Sequence, residues 1–331
     1  MVNAALVSVT LSAALATGLF ILHKARSQPR STSVPPAQER VLVLGASSGL
    51  GRAIVKGYAR RGAKVCATAR RAAMLEELRM ECGDGNILTV TADAAVAEDM
   101  TRVRNEVAER MGGGLDTLIV CVGVSAVQPV MKLARCGGGD DAEADPAVEG
   151  VRAAVDVASR AASGNFLAPL VAAATFIPML QQSSERPAVL LVSSVAAVVP
   201  APTRALYAAT KAAGLLLFQS LAIEHPRISF ANVLPATMEG NFRAGAVDRD
   251  YGGSDMEHKG EEGMGLQTEE VYNTKGLKLE AVAKTCMDVV DRGTRGNVIV
   301  PWLPYRIAHV LYWVWPSFIE GKARKKYNFH A

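Results

Sequence analysis

What most constrains this chain is a repeated alternation of short apolar runs with helical segments. The runs VLVLGA (41–46), AKVCATA (63–69), NILTVTA (86–92), LDTLIVCVG (115–123), PAVLLVSS (187–194) and ISFANVLP (228–235) have strand length and little polar interruption. Helical sequences separate them: Leu50 to Arg61, Arg71 to Glu81, Glu98 to Met111, Phe166 to Gln182 and Leu206 to His225. A strand that is apolar at nearly every position has no wet face, so it must be covered on both sides. Strand–helix–strand repetition then implies parallel pairing through right-handed crossovers, and an α/β fold with one doubly wound sheet. Two Gly-rich, acidic stretches, 136–150 and 243–265, break the alternation. They are long for loops in a compact domain and read as lids or disordered insertions.

Composition narrows the classes. Half of the 331 residues are apolar and 21% are charged, which excludes a disordered chain or a low-complexity fibre. The net charge of +4 is too small to suggest a nucleic-acid partner. The five cysteines (Cys66, Cys82, Cys121, Cys136, Cys286) lack CxxC or His spacing, so neither a disulfide framework nor a metal site is expected.

The ends are apolar in a different way. Residues 2–22 contain no Asp, Glu, Lys or Arg. As a helix this run would span about 31 Å, close to the hydrocarbon thickness of a bilayer. A transmembrane anchor (1–23) is the favoured reading; a cleaved signal peptide or a core helix are the alternatives. Lys24, Arg26 and Arg30 follow the run and should stay cytoplasmic. A polar linker (24–39) then leads to the main domain (40–300). The tail (301–331) carries all three tryptophans within 302–319, followed by Lys322, Arg324, Lys325 and Lys326. Aromatic rings beside cations suit a membrane interface, although the same rings could pack on the domain or between two copies.

The first strand runs into Gly45-Ala46-Ser47-Ser48-Gly49-Leu50-Gly51. Three glycines between a strand and a helix allow a tight turn, and the free N–H groups of the helix start can hold a pyrophosphate. The second strand ends at Ala69 and is followed by Arg70 and Arg71, near where a binder of NAD would place a carboxylate. A guanidinium there can pair with a 2′-phosphate, so NADP(H) is the expected cofactor. Further along, Tyr207 and Lys211 lie four apart on one helical face, and Ser194 ends a strand thirteen residues before the tyrosine. A phenol needs help to exchange protons at neutral pH, and a neighbouring ammonium supplies it.

Together the GxxxGxG loop, Ser194, Tyr207 and Lys211 resemble the short-chain dehydrogenase/reductase family over roughly residues 40–300. The resemblance implies a Rossmann-type catalytic domain. It implies that Tyr207 exchanges the proton, Ser194 polarises the carbonyl, and Lys211 lowers the tyrosine pKa and holds the nicotinamide ribose. It assigns Asn165 to a water linking to Lys211, and Asp93 to the adenine amino group. It also assigns Gly45, Ser47, Ser48, Gly49, Leu50, Gly51, Gly123, Pro235 and Thr237 to the cofactor. Departures accompany it: Leu44 replaces a Thr, Val120-Cys121-Val122 replaces Asn-Asn-Ala, Ala236 replaces a Gly, and Gly240 a Thr. The implied protein reduces a ketone, or oxidises a secondary alcohol, on a lipophilic substrate such as a lipid or steroid. It would be a single-pass endoplasmic reticulum protein with its catalytic domain facing the cytosol, and a homodimer or homotetramer. The alternative is a catalytically silent NADPH-binding scaffold or sensor.

Overall fold

The computed structural model describes residues 28–83, 85, 87–135, 146–251 and 273–329. The proposed anchor, Lys24, Arg26, Cys136, and the greater part of both Gly-rich insertions fall outside the described residues.

Seven strands form one sheet: β1 (Arg40–Leu44), β2 (Lys64–Ala69), β3 (Ile87–Thr91), β4 (Thr117–Val120), β5 (Ala188–Val192), β6 (Ser229–Pro235) and β7 (Gly296–Val300). Their order is β3-β2-β1-β4-β5-β6-β7, with every neighbouring pair parallel. The first six strands match the six apolar runs of the sequence. The seventh was not read there. Its burial is incomplete and it opens on Gly296, so it lacks the continuous apolar run of an interior strand.

The helices are α1 (Arg30–Ser33), α2 (Gly49–Arg60), α3 (Ala72–Cys82), α4 (Ala97–Arg110), α5 (Val130–Ala134), α6 (Val148–Ala162), α7 (Ala168–Ser183), α8 (Ala205–Glu224), α9 (Leu279–Asp291), α10 (Tyr305–Val314) and α11 (Pro316–Lys326). Alternation within β1 shows how they cover the sheet. Val41 and Val43 point into a core with α2, α3 and α9, through Ile54, Tyr58, Leu75, Leu78, Val282 and Val289. Leu42 and Leu44 point into the opposite core with α4, α7 and α8, through Met100, Val107, Phe176, Leu180 and Phe218. Both faces are dry, as a fully apolar parallel strand requires.

The expected helix from Phe166 to Gln182 is longer than its sequence suggested. It begins at Val148 and passes through a π-helical turn, Ser163–Leu167. Val148 and Val155 on α6 are each 60% exposed, which blurs the apolar stripe that would have revealed it. The stretch Val148–Ser183 and helix α8 are both long and apolar enough to cross a membrane. Both pack against the sheet through Phe176, Leu180 and Phe218, although less than a quarter of the α8 stretch is buried.

The end of the expected linker is built into the domain. Arg30, read as a cation flanking the anchor, is 1% exposed. It donates from Nη1 to Glu39 Oε1 (2.7 Å), from Nη2 to Thr117 Oγ1 (2.8 Å) and to the Asp116 carbonyl (2.9 Å), and from Nε to the Arg186 carbonyl (2.6 Å). Glu39 is fully buried, and its second oxygen meets Arg61, which also pairs with Asp291 at 2.6 Å. A buried charge this well surrounded is tolerable; one left alone is not. Replacing Arg30 with Met leaves Glu39 with the Thr117 hydroxyl, which donates to its Oε1, and with the longer Arg61 contact as its one remaining ion pair among the described residues. We expect a loss of about 3–5 kcal/mol in urea unfolding, and a smaller loss for Arg30→Met combined with Glu39→Leu.

Candidate active site

The strand order reverses between β1 and β4, where the adjacent strands lead into helices on opposite faces. In open α/β sheets ligands bind in the crevice at such a point, beyond the carboxyl ends of the strands. Two close approaches shape it. A Cβ on Gly45, which sits at φ +88°, would lie 2.7 Å from the Cys121 carbonyl oxygen. A Cβ on Gly51 would lie 2.1 Å from the Gly45 carbonyl oxygen. Only glycine lets α2 start this close to the strand ends. Gly49, at φ +54°, has open space where its Cβ would be. Ser48 caps α2 without a side-chain bond, and the first turn carries no acid. Its orphan N–H groups and the cradle around Gly49 fit a pyrophosphate.

The two arginines after β2 divide their tasks. Arg71 donates from Nη2 to Ser47 Oγ (2.8 Å) and Ser48 Oγ (2.6 Å), placing a guanidinium over the glycine loop. The Arg70 side chain is 71% exposed and stands 3.9 Å from Asp93 Oδ2. Asp93 Oδ1 accepts from Ala95 N at 2.9 Å, so this carboxylate caps the turn before α4 while keeping its other oxygen near Arg70. Loop hydroxyls and two cations at this edge suit a ribose phosphate. Among the described residues no cluster of His, Cys, Asp and Glu is placed to hold a metal ion.

Four side chains converge across the crevice. Ser194 is in extended backbone at the end of β5, and its Oγ accepts from Ala196 N at 3.1 Å. Its side chain also acts on the Tyr207 phenol. Tyr207 and Lys211 project from successive turns of α8. Lys211 Nζ donates to the carbonyls of Val192 (3.2 Å) and Val122 (3.3 Å), tying α8 to β5 and the end of β4. Asn165 brackets the Val124 peptide: Oδ1 accepts from Val124 N and Nδ2 donates to Val124 O, each at 3.0 Å. A Cβ on Gly123 would sit 2.7 Å from Lys211 Nζ and 2.9 Å from Asn165 Oδ1, so a side chain there would displace one or both of these groups.

The π-turn at Asn165 has a local cause. Pro169 carries no N–H and cannot donate to the Asn165 carbonyl four residues earlier. Instead the Ala168 N–H reaches back five residues to the Ser163 carbonyl. The freed Asn165 carbonyl faces Gly214 of α8, where a Cβ would approach it to 2.7 Å.

Burial governs the titrations. It pushes the Tyr207 phenol above its usual range, while Ser194, Arg204 and Arg243 pull it back. Burial likewise lowers the Lys211 ammonium to about 8. The cations acting on Tyr207 are therefore two that were not read from the sequence, and Lys211, expected to lower the phenol, is not among them. Arg204 stands at the start of α8, with its guanidinium carbon 5.9 Å from the Tyr207 ring centroid. Its spacing of three before the tyrosine was the available signal, because i and i+3 share a helical face. Phe242 was also missed; its ring meets that of Tyr207 edge-on at 6.1 Å. Pro235 ends β6, and Thr237 Oγ1 accepts from Arg243 Nη2 at 3.4 Å. Cys66, Cys82, Cys121 and Cys286 are free thiols.

A dinucleotide cradle, a Ser–Tyr pair and a buried Lys on one crevice define a nicotinamide-dependent oxidoreductase. The sequence profile of the short chain dehydrogenases matches residues 39–250, and the chain belongs to that family. It is 27% identical to 11-beta-hydroxysteroid dehydrogenase A of Sesamum indicum over 290 residues, covering 84% of this chain and 71% of that protein. It is 34% identical to a hydroxysteroid 11-beta-dehydrogenase 1-like protein of Xenopus tropicalis over 191 residues, 57% of this chain and 59% of that protein. It also matches 11-beta-hydroxysteroid dehydrogenase-like 3 of Arabidopsis thaliana at 30% identity, spanning 64% of its length. The fold is similar to that of an alcohol dehydrogenase from Thermococcus sibiricus, solved with 5-hydroxy-NADP. The TM-score is 0.59 at 19% identity, across 79% of this chain and 95% of that one.

The Lys211 shift has a sign. Below pH 8 the folded protein bears the full cost of a buried ammonium. Between about 8 and the model-compound value of 10.5 it gives up that proton while the unfolded chain keeps it, so stability rises with pH across this window. Measured without added cofactor, wild type should gain stability relative to Lys211→Met as pH climbs from 8 towards 10. A difference independent of pH would contradict the assignment.

Proposed function

We propose that the chain is a membrane-associated, NADP(H)-dependent reductase of ketones on lipophilic molecules, able to run in reverse on the secondary alcohol. The observation that carries this is the meeting of Ser194 and Tyr207 with the Arg71-covered glycine loop on one crevice. The cofactor, when bound, supplies hydride to the carbonyl carbon. Gly49, Leu50 and Gly51 receive its pyrophosphate on the N-terminus of α2, and Arg71 and Arg70 receive the 2′-phosphate. Asp93, Gly123, Pro235 and Thr237 border its adenine and nicotinamide ends. Ser194 donates a hydrogen bond to the carbonyl oxygen, which gains negative charge in reduction. Tyr207 passes its proton to that oxygen. Lys211, anchored on two backbone carbonyls, holds a positive charge behind the phenol and offers N–H donors to the ribose. Asn165 fixes the Val124 peptide, and its free carbonyl is suited to hold a water on the proton path.

The lipophilic substrate follows from the rim. Trp302, Ile307, Val310, Trp313, Val314 and Trp315 are all at least half exposed on and around α10, and the last turn of α11 carries Arg324, Lys325 and Lys326. A continuous apolar and aromatic face edged by cations is the composition of a bilayer interface. His309 on that helix bonds the carbonyl of Val198, four residues after Ser194, at 3.0 Å, so this helix adjoins the site. With an N-terminal anchor, the domain would sit on the cytosolic surface of the endoplasmic reticulum. Leu216 and Ile223 of α8, 64% and 81% exposed, with Leu167 and Leu170, offer the surface for a homodimer or homotetramer.

Tyr207→Phe should retain NADPH binding and lose about 100-fold or more in ketone-dependent NADPH oxidation, the usual size of a general-acid contribution. Turnover at the wild-type rate would sink the mechanism. Arg71→Glu should raise the KM for NADPH by about tenfold or more while sparing NADH, because a charge-assisted contact becomes a repulsion. For the membrane, residues 28–331 should float with anionic phospholipid vesicles, and Trp313→Ser with Trp315→Ser should leave most of the protein in the pellet fraction.

A further inference from the structure

The stretch that leaves β4 is gripped along its backbone, and the reductase reading uses only part of that grip. Asn165 brackets the Val124 peptide. Arg204 Nη1 donates to Ser125 Oγ (3.0 Å) and to the Ala126 carbonyl (3.2 Å). The next two peptides belong to Asp248, which lies 120 residues beyond Gln128, in the segment after β6. Its Oδ2 accepts from Val127 N at 2.6 Å and from Gln128 N at 2.7 Å. Gln128 returns a bond from Nε2 to the Asp248 carbonyl (2.6 Å), and Val247 N donates to the Ser125 carbonyl (2.9 Å).

Asp248 is fully buried, and its Oδ1 has no hydrogen-bond partner among the described residues. Burying a carboxylate is costly unless donors meet it. Here two backbone amides meet one oxygen, at the short separations of charge-assisted bonds, and the Arg204 guanidinium is near enough for the charge to act on it. These bonds join one seam: the segment after β6 against the segment after β4. The reaction centre lies beside that seam. Val247 and Tyr251 pack in one apolar cluster with Ala126, Leu206 and Tyr207. Tyr251 closes the far end by donating to Asp156 Oδ2 on α6. Six residues before Asp248, the Phe242 ring meets that of Tyr207 edge-on at 6.1 Å and is still 48% exposed.

We propose that Asp248 is a positioning residue for the reduction: by clamping the segment after β6 to the Val127 and Gln128 amides, it holds Phe242 beside the Tyr207 phenol as an apolar wall for the substrate. This deepens the reductase reading and rests on it. Asp248 itself touches neither substrate nor cofactor. The half-exposed Phe242 ring meets a bulky ketone whose carbonyl rests on Tyr207 and Ser194. A small ketone fills only the space at the phenol and the hydroxyl and gains nothing from the ring. Asp248 therefore acts, through Phe242, on the preference for large ketones over small ones. The partners of its side chain are backbone amides, so the requirement is for an acceptor at position 248, strongest when charged.

The test uses the full chain with NADPH and two classes of ketone: bulky (a steroid 3-ketone and hexadecan-2-one) and small (cyclohexanone and butan-2-one). The quantity read is the ratio of kcat/KM, bulky over small. A role in stability alone lowers the amount of folded enzyme, which scales both classes alike and leaves the ratio where it was. Asp248→Ala should lower the ratio about tenfold, mainly through KM for the bulky ketones, the discrimination that one apolar contact gives. Phe242→Ala should lower it by the same factor. Asp248→Asn keeps an acceptor but not the charge, and should lower the ratio about threefold, since a neutral bond has roughly half the strength of a charge-assisted one. It also decides the matter should Asp248→Ala fail to fold. Combined with Phe242→Ala, its loss should not add, because both act on the same wall. A ratio unmoved in Asp248→Asn, or losses that add in full, overturns the positioning role and leaves the reductase reading standing. No NADPH oxidation with any of the four ketones, in protein that binds NADPH, overturns both.

Discussion

The working geometry of this protein depends on a series of backbone approaches with no room for a methyl group. Gly51 of the second helix meets the Gly45 carbonyl, Gly45 meets the Cys121 carbonyl, Gly123 meets Lys211 and Asn165, and Gly214 meets the Asn165 carbonyl. Taken in order, these contacts run from the phosphate loop, across the ends of β1 and β4, to the π-turn and the catalytic helix. No side chain can be inserted at any of the four without moving a neighbour that carries a functional group. Interiors packed to this density transmit displacement instead of absorbing it.

Much of the architecture was legible because the strands are dry on both faces. Six apolar runs located six strands, and the spacing of Ser194, Tyr207 and Lys211 located the reaction centre. What escaped has identifiable causes. β7 is an edge strand with half-buried positions, so its run is interrupted. Helix α6 exposes valines at Val148, Val151 and Val155, which breaks the contrast between its faces. The role of Pro169 in freeing the Asn165 carbonyl depends on hydrogen bonding within one turn, which neither propensity nor periodicity reports. Arg30 looked like part of a polar linker because its partners, Glu39, Thr117 and the Asp116 and Arg186 carbonyls, lie on separate elements.

The electrostatics of the crevice divide by depth. Lys211 is buried against carbonyl dipoles and pays for that position with a pKa near 8. Arg204 and Arg243 cannot respond in the same way, since a guanidinium stays charged, and so their field on Tyr207 is permanent. The site therefore combines one cation whose charge can vary with pH and two whose charge cannot.

The Arg30 cluster bears on the order in which the chain becomes a protein. Arg30 bonds to backbone 86 and 156 residues further along, at Asp116 and Arg186. During synthesis these partners emerge long after Arg30 itself has left the ribosome. Glu39 follows only nine residues later, but until the Arg186 carbonyl before β5 is in place the socket around Arg30 is incomplete. The N-terminal segment is thus among the last pieces to lock, and closing it requires both halves of the sheet to be present.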